Sequence, residues 1–449
     1  MVESFTLTKN HGRQFFGAKN GAKNNENLEI INDKTKNANS PLDILFLIPH
    51  PFYQDRGSPI ADNLVLKYLS QQNDKIDVVT YPQGKDVDYK NTNIYRTINI
   101  PFVKNVRPGF SWKKIIYDLL MFLEVARLLS QKRYSLIHAV EESVFIALLL
   151  KFLLNIPYIY DMDSSLSQQM IEKYPFLSPF IYVLKWFEKH AVKNAEVVVP
   201  VCQALANNIN QYQPKKVVLL PDISLLNEKQ VATKHNLKKE LKISNTMLMY
   251  VGNLEQYQGM DLLLDSLALA LKQTKEVDLV IVGGEQEDIK KYQNKAKKLG
   301  IQEKVYFLGK KPASELGNYL AQADVLVSPR IKGKNTPMKI YSYLDSGKAV
   351  LATNLPTHTQ VLDDKTAMLS HSNPQAFSKG IISLIKDPEL RLKLGEAGKI
   401  MVQKKHSYAA FCEKLGSLYN QVKETINSDK NQNGDSEKKL AESGDYQVS

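Results

Sequence analysis

Short apolar runs of four to six residues recur along this chain, separated by longer stretches whose apolar positions fall three and four residues apart. The runs cover residues 43–48, 76–80, 135–138, 158–161 and 197–200. After a gap they resume at 247–251, 278–282, 305–308, 325–328 and 349–352. Most are continuously apolar rather than alternating, which marks strands covered on both faces. Helical patterns lie between them, for example over 60–70, 113–130 and 261–272. Such alternation predicts an α/β architecture with parallel sheets.

The series runs twice. A polar, lysine-rich stretch over 227–244 separates the two sets. The expected organisation is an N-terminal lobe over 41–225, a linker over 226–245 and a C-terminal lobe over 246–406. A last amphipathic helix then covers 407–427. Residues 1–40 and 428–449 lack periodic apolar positions and are expected to be disordered. Two doubly wound lobes joined in this way face a cleft at the carboxyl ends of their sheets, where such folds bind ligands.

Composition narrows the partners. The 449 residues carry a net charge of +12, from 59 basic and 47 acidic side chains. That excess suits a phosphorylated ligand, an anionic membrane surface, nucleic acid or simply a solvated lysine-rich exterior. The two cysteines, Cys202 and Cys412, form no CxxC pair and no metal-ligand spacing, which fits a reducing compartment. No stretch reaches the roughly 18 apolar residues of a spanning helix, and no signal-peptide core precedes the first strand. A cytoplasmic location follows as an expectation, and no cofactor is expected.

Candidate chemistry clusters at strand ends. After the first strand, Asp55-Arg-Gly-Ser-Pro59 places Gly57 and Ser58 at a helix start, Ser58 as its N-cap. Tyr250-Val-Gly-Asn-Leu254 and Gln256-Tyr-Gln-Gly259 form a glycine-bearing loop after the strand at 247–251. After the strand at 325–328, a loop carries Arg330, Lys332 and Lys334. Thr336 and Pro337 are expected to cap a helix reaching Ser346, with Gly347 at its end. Cations over a helix N-terminus make a diphosphate site. In the N-terminal half, His138-Ala-Val-Glu-Glu142 and Asp161-Met-Asp-Ser-Ser165 place Glu141, Glu142, Asp161 and Asp163 where they can position acceptor hydroxyls or cap helices. Over 101–114, basic and aromatic residues interleave before an apolar helix. The segment at 101–130 suits peripheral contact with an anionic membrane, or closure of the acceptor side. No nucleic-acid module signature is present, and no nucleic-acid partner is expected.

In combined order these features resemble the bacterial glycosyltransferases of family 4, which have the GT-B fold. The resemblance covers nearly all of 42–427. It rests on Arg56-Gly57-Ser58, Glu188-Lys-His-Ala-Val-Lys-Asn-Ala-Glu-Val-Val-Val-Pro200, Tyr250-Val-Gly-Asn-Leu254 and Thr336-Pro-Met-Lys-Ile-Tyr-Ser-Tyr-Leu-Asp-Ser-Gly-Lys348. It implies transfer of a sugar from a nucleotide diphosphate donor, with retention at the anomeric carbon and without a metal. Taken with the residues above, the expected donor contacts are Gly57, Ser58, Gly252, Asn253, Gln258, Arg330, Lys332, Lys334, Thr336, Pro337, Met338 and Ser342. Glu141, Asp161 and Asp163 are the catalytic candidates. The last helix resembles the family's crossover helix.

Three departures stand out. Asn253 and Gln258 occupy the places of the family's diphosphate-clamping arginine and lysine. Lys334 and Ser342 occupy those of its two glutamates, the second of which grips the ribose. The family's histidine in the N-lobe strand-end motif falls nearer Val140 than His138. We expect Arg330, Lys332 and Lys334 to supply the missing cations. The alternatives are a transferase-like binding protein that has lost its chemistry and a GT-B sugar-nucleotide epimerase.

Overall fold

The computed structural model describes residues 41–54, 57–101, 103, 111–226 and 236–444. Its apolar runs become two separate six-stranded parallel sheets. The first contains β1 (Asp43–Pro51), β2 (Lys75–Tyr81), β3 (Thr92–Arg96), β4 (Leu136–Val140), β5 (Tyr158–Met162) and β6 (Val197–Pro200), in the order β3-β2-β1-β4-β5-β6. Its helices are α1 (Gly57–Leu69), α2 (Trp112–Leu129), α3 (Val144–Leu154), α4 (Leu166–Lys173), α5 (Ile181–Asn194) and α6 (Gln203–Asn210).

The second lobe opens with α7 (Leu237–Glu240) and continues through β7 (Thr246–Val251), α8 (Met260–Ala270), β8 (Val277–Val282), α9 (Gln286–Lys298) and β9 (Val305–Gly309). It is completed by α10 (Leu316–Gln322), β10 (Val325–Ser328), α11 (Lys339–Asp345), β11 (Ala349–Thr353), α12 (Pro356–Thr359), β12 (Met368–Ser370), α13 (Pro374–Lys386) and α14 (Pro388–Lys405). The sheet order is β12-β11-β10-β7-β8-β9. A long helix, α15 (Tyr408–Gly444), follows.

Strand order reverses between β1 and β4 in the first sheet and between β7 and β10 in the second. At such a switch point the two flanking loops diverge and leave a crevice beyond the strand ends. The loops after β1 and β4, and those after β7 and β10, therefore define where ligands can enter each lobe.

Both sheets are dry. The inner strand residues Ile44 to Ile48 and Leu279 to Ile281 are fully buried. In the first lobe, Tyr117, Met121 and Val125 of α2, Ala147 of α3 and Ala191 and Val192 of α5 share one core against the sheet.

Several expectations change. β3 and β12 fall outside the expected runs. Leu237 and Ile243, within the expected linker, are buried in the second lobe's core, so residues 236–245 belong to that lobe. The expected disordered tail at 428–449 is helical as far as Gly444. The tail at 1–40 and linker residues 227–235 lie outside the described residues. By contacts the chain divides into Leu42–Val422, which carries both sheets, and a terminal unit that includes the helix beyond Val422. Among the described residues no helix is long and apolar enough to cross a membrane.

Candidate active site

On the second lobe, β7 ends at Val251 and the backbone turns at Gly252, whose φ is 148°. A Cβ there would lie 2.9 Å from Lys339 Nζ and 3.2 Å from the Tyr250 hydroxyl, so only glycine leaves both in place. Lys339 opens α11. Its Nζ is buried without a hydrogen-bond partner and sits 3.9 Å from the centre of the Tyr250 ring. Burial, and secondarily the neighbouring Arg330, push its pKa well below that of an ordinary lysine. The ring face recovers part of the lost hydration of the ammonium. The Tyr250 hydroxyl donates to Asn253 O at 2.6 Å and fixes the turn.

The three cations of the 330–334 loop diverge. The Arg330 guanidinium donates to Lys332 O at 2.7 Å and Asn335 Oδ1 at 3.2 Å, and stacks over Tyr257 at 5.2 Å. It folds across Gly333, where a Cβ would lie 2.2 Å from it. Lys332 is exposed. Lys334 Nζ crosses to the first lobe and donates to Gln168 Oε1 at 2.6 Å. Arg330 alone of the three stands near Lys339.

Other expected donor contacts also shift. Helix α11 starts at Lys339, with Met338 at its cap position and no side-chain cap. Thr336 and Pro337 precede it and are buried, and neither caps it. Ser342 is fully buried, and its Oγ accepts from Leu225 N at 3.0 Å. Its hydroxyl holds the chain crossing between the lobes and does not reach into the cleft. Gln258 is buried in a 3-10 turn, Gln256–Gln258, and Asn253 is exposed.

On the first lobe a row of carboxylates lies beyond the strand ends. Ser58 is not an N-cap: α1 begins at Gly57, and Ser58 Oγ donates to Asp163 Oδ2. Asp55 and Arg56 lie outside the described residues. Asp161 Oδ2 meets His138 Nε2 at 3.2 Å, and His138 Nδ1 meets the Tyr419 hydroxyl of α15 at 2.6 Å. Glu141, at φ 48°, turns the chain after β4 and accepts from Ser164 Oγ at 2.9 Å. Glu142 pairs with Lys114. Burial, then the neighbouring Asp163 and Glu142, raise the pKa of Glu141 well above the carboxylate range.

The sequence reading missed part of this row. Asp62 is buried in α1 and meets His50 Nε2 at 2.7 Å. Asp222, at the end of the first lobe, adds a further carboxyl. Burial and mutual repulsion push Asp163 up to about 7 and Asp222 up to about 8. A cavity of about 20 Å³ between Asp161, Asp163, Asp222 and Phe411 has room for one water. The signal for Asp62 was available, because it falls in register with the buried Pro59, Val65, Leu66 and Leu69 of α1. Lys339 gave no such signal, since a lysine opening a helix is commonly solvated.

The lobes meet across the cleft. Gln360 Oε1 accepts from Ala204 N at 2.8 Å, while its Nε2 donates to Lys334 O at 2.6 Å. A cavity of about 860 Å³ opens beside this contact, bounded by Cys202, Thr336, Tyr341 and Gln360. Among the described residues no group of three or more His, Cys, Asp or Glu side chains could hold a metal ion.

Two doubly wound parallel lobes, one with a buried lysine and the other with a row of carboxylates beyond its strand ends, have the architecture of the GT-B class of glycosyltransferase. The chain belongs to family 4 of these enzymes: the family described as Glycosyl transferases group 1 matches residues 233–401, and Glycosyltransferase Family 4 matches residues 64–222. An uncharacterised glycosyltransferase of Methanocaldococcus jannaschii is 21% identical over 388 residues, covering 79% of this chain and 92% of the relative. The D-inositol 3-phosphate glycosyltransferase of Corynebacterium glutamicum is 25% identical over 251 residues, covering 52% of this chain and 59% of its own. Among solved structures, sucrose-phosphate synthase of Thermosynechococcus elongatus superposes with a TM-score of 0.68 at 19% identity, covering 85% of this chain and 99% of that one. The Anabaena protein HepE in complex with UDP gives a TM-score of 0.65 at 16% identity, covering 86% and 100%. These likenesses describe the fold.

Proposed function

We propose that this glycosyltransferase takes its sugar from a nucleotide diphosphate donor and seats the leaving diphosphate against Lys339 and Arg330, where β7 and β10 end. One observation carries the reading: the ammonium of Lys339 is buried, unpartnered and turned to the glycine at the strand end. An isolated buried charge is costly, and an incoming phosphate oxygen relieves that cost while the charge stabilises the leaving group. Lys339 thus replaces the cations absent at Asn253 and Gln258, a task the sequence alone assigned to the 330–334 loop. The acceptor lies against Asp161, Asp163 and Glu141, and transfer proceeds with retention and without a metal. A UDP-bound neighbour of the same fold makes UDP the first nucleotide to try.

Lys339→Met should weaken UDP binding about tenfold to a hundredfold, the worth of one charge-assisted hydrogen bond. Arg330→Ala should have a similar effect, and Lys332→Ala little. Calorimetric titration decides the matter, and undiminished affinity in both Lys339→Met and Arg330→Ala refutes the assignment. A second reading, nucleotide binding without turnover, is favoured by Ser342, whose buried hydroxyl leaves the ribose without the family's acid. Transfer or donor hydrolysis by the wild-type chain, read as released UDP, excludes it.

A further inference from the structure

The helices α2, α3 and α5 lie on one face of the first sheet, since each buries one side in the same core. Their opposite sides are apolar as well. On α2, Trp112, Ile115, Leu119 and Leu123 form an outward stripe at helical spacing, all more than half exposed. At the end of α3, Phe152, Leu153 and Leu154 are exposed, with no covering element among the described residues. The 3-10 segment Pro175–Phe180 adds Phe176 and Phe180, and α5 adds Tyr182, Val183, Trp186 and Phe187. Soluble monomers seldom present so many large apolar groups on one face.

The charges on α5 select the occupant. Its one acid, Glu188, is turned inward and accepts from Ser165 Oγ and Ser167 N. Lys185, Lys189 and Lys193 recur every four residues along the edge of the aromatic stripe, and among the described residues none is ion-paired. On α2, Glu124 is engaged by Arg127, and Asp118 by the Tyr81 hydroxyl. A protein interface is depleted of lysine, whereas lysines flanking exposed Trp, Tyr and Phe match anionic headgroups above an acyl layer.

We propose that this face docks the protein on an anionic lipid bilayer, with the rings of Phe176, Phe180, Tyr182 and Trp186 in the headgroup region. The face borders the acceptor side of the cleft: α2 begins beside Glu142, just beyond β4, and α5 begins just beyond β5 and α4. The surface extends well past the 101–130 segment marked by composition, of which residues 102 and 104–110 lie outside the described residues. It does not depend on the donor assignment.

The chain has two tryptophans, and both are on this face: Trp112 is 60% exposed and Trp186 54% exposed. Intrinsic fluorescence therefore reports directly on docking. With vesicles of phosphatidylcholine and phosphatidylglycerol, the emission should shift to the blue and be quenched by brominated lipid. Phosphatidylcholine alone, or high salt, should abolish most of the shift. Replacing Lys185, Lys189 and Lys193 by Gln should weaken vesicle binding on the order of a hundredfold. Phe176→Ser with Phe180→Ser should weaken it too, while the thermal shift on UDP binding, or the melting temperature itself, shows the variants folded. An unchanged emission with both kinds of vesicle overturns the proposal, as does an equal response to neutral lipid. A lipid-free, concentration-dependent dimer that produces the same blue shift also overturns it, and makes the face a contact between copies.

Discussion

At the scale of single residues, desolvation sets the chemistry of both halves of the site. Lys339 and Asp222 are ordinary surface types placed where water is scarce, so each is held toward its neutral form. For Asp222, burial and then Asp163, Asp161 and Asp62 raise the pKa to about 8, against about 3.9 in an unfolded chain. Between those values the folded protein keeps a proton that the unfolded chain releases. The contribution of Asp222 to stability then falls as pH rises from about 4 to about 8 and levels off above. Asp222→Asn removes this contribution, so its advantage in melting temperature over wild type should grow across that window. Parallel melting curves for the two proteins at every pH would show that Asp222 does not titrate there. Asp62 could have been singled out in the sequence by its apolar register. Lys339 and Asp222 could not, because nothing nearby in the chain shows that distant segments will cover them.

Elements differ in how plainly the chain announces them. The inner strands were legible because burial on both faces requires continuous apolar runs. The edge strand β3, Thr-Asn-Ile-Tyr-Arg, is only partly buried and carries no such run. At three residues, β12 is too short to show one. The start of α11 was misplaced because Thr336-Pro337 has the chemistry of a cap, while tertiary packing buries both residues and delays the helix to Lys339. The same packing turns Ser342 from a ligand contact into a tie for Leu225. Ser342→Ala should therefore cost about 1 kcal/mol, the worth of one partly buried hydrogen bond, and leave UDP affinity unchanged. Chemical denaturation alongside a UDP titration checks both halves, and a loss of affinity at full stability would return Ser342 to the donor site.

On the scale of the whole molecule, two lobes with separate cores touch through polar contacts at the cleft, and α15 carries the chain from the second lobe back onto the first, where Tyr419 meets His138. Gln360 bridges Ala204 and Lys334, and Lys334 reaches Gln168. These partly or fully exposed hydrogen bonds are worth only about 1 kcal/mol each, too little to clamp the lobes by themselves. The double variant Lys334→Ala with Gln360→Ala should keep its melting temperature yet show a larger radius of gyration by small-angle scattering. An unchanged profile would mean that the chain crossing at Ser224 and Leu225 and the return of α15 hold the lobes without these side chains.

The sequence by itself determined the α/β class, the doubled series of strands and the glycine-bearing loops at their ends. Those features depend on local periodicity and backbone preference, which neighbouring residues settle among themselves. Only the tertiary structure decided which cation is stripped of water, which carboxylates share protons and which helix faces are left bare. Each of these is fixed by segments far apart in the chain that remove solvent, or fail to remove it, when the two sheets and their helices pack.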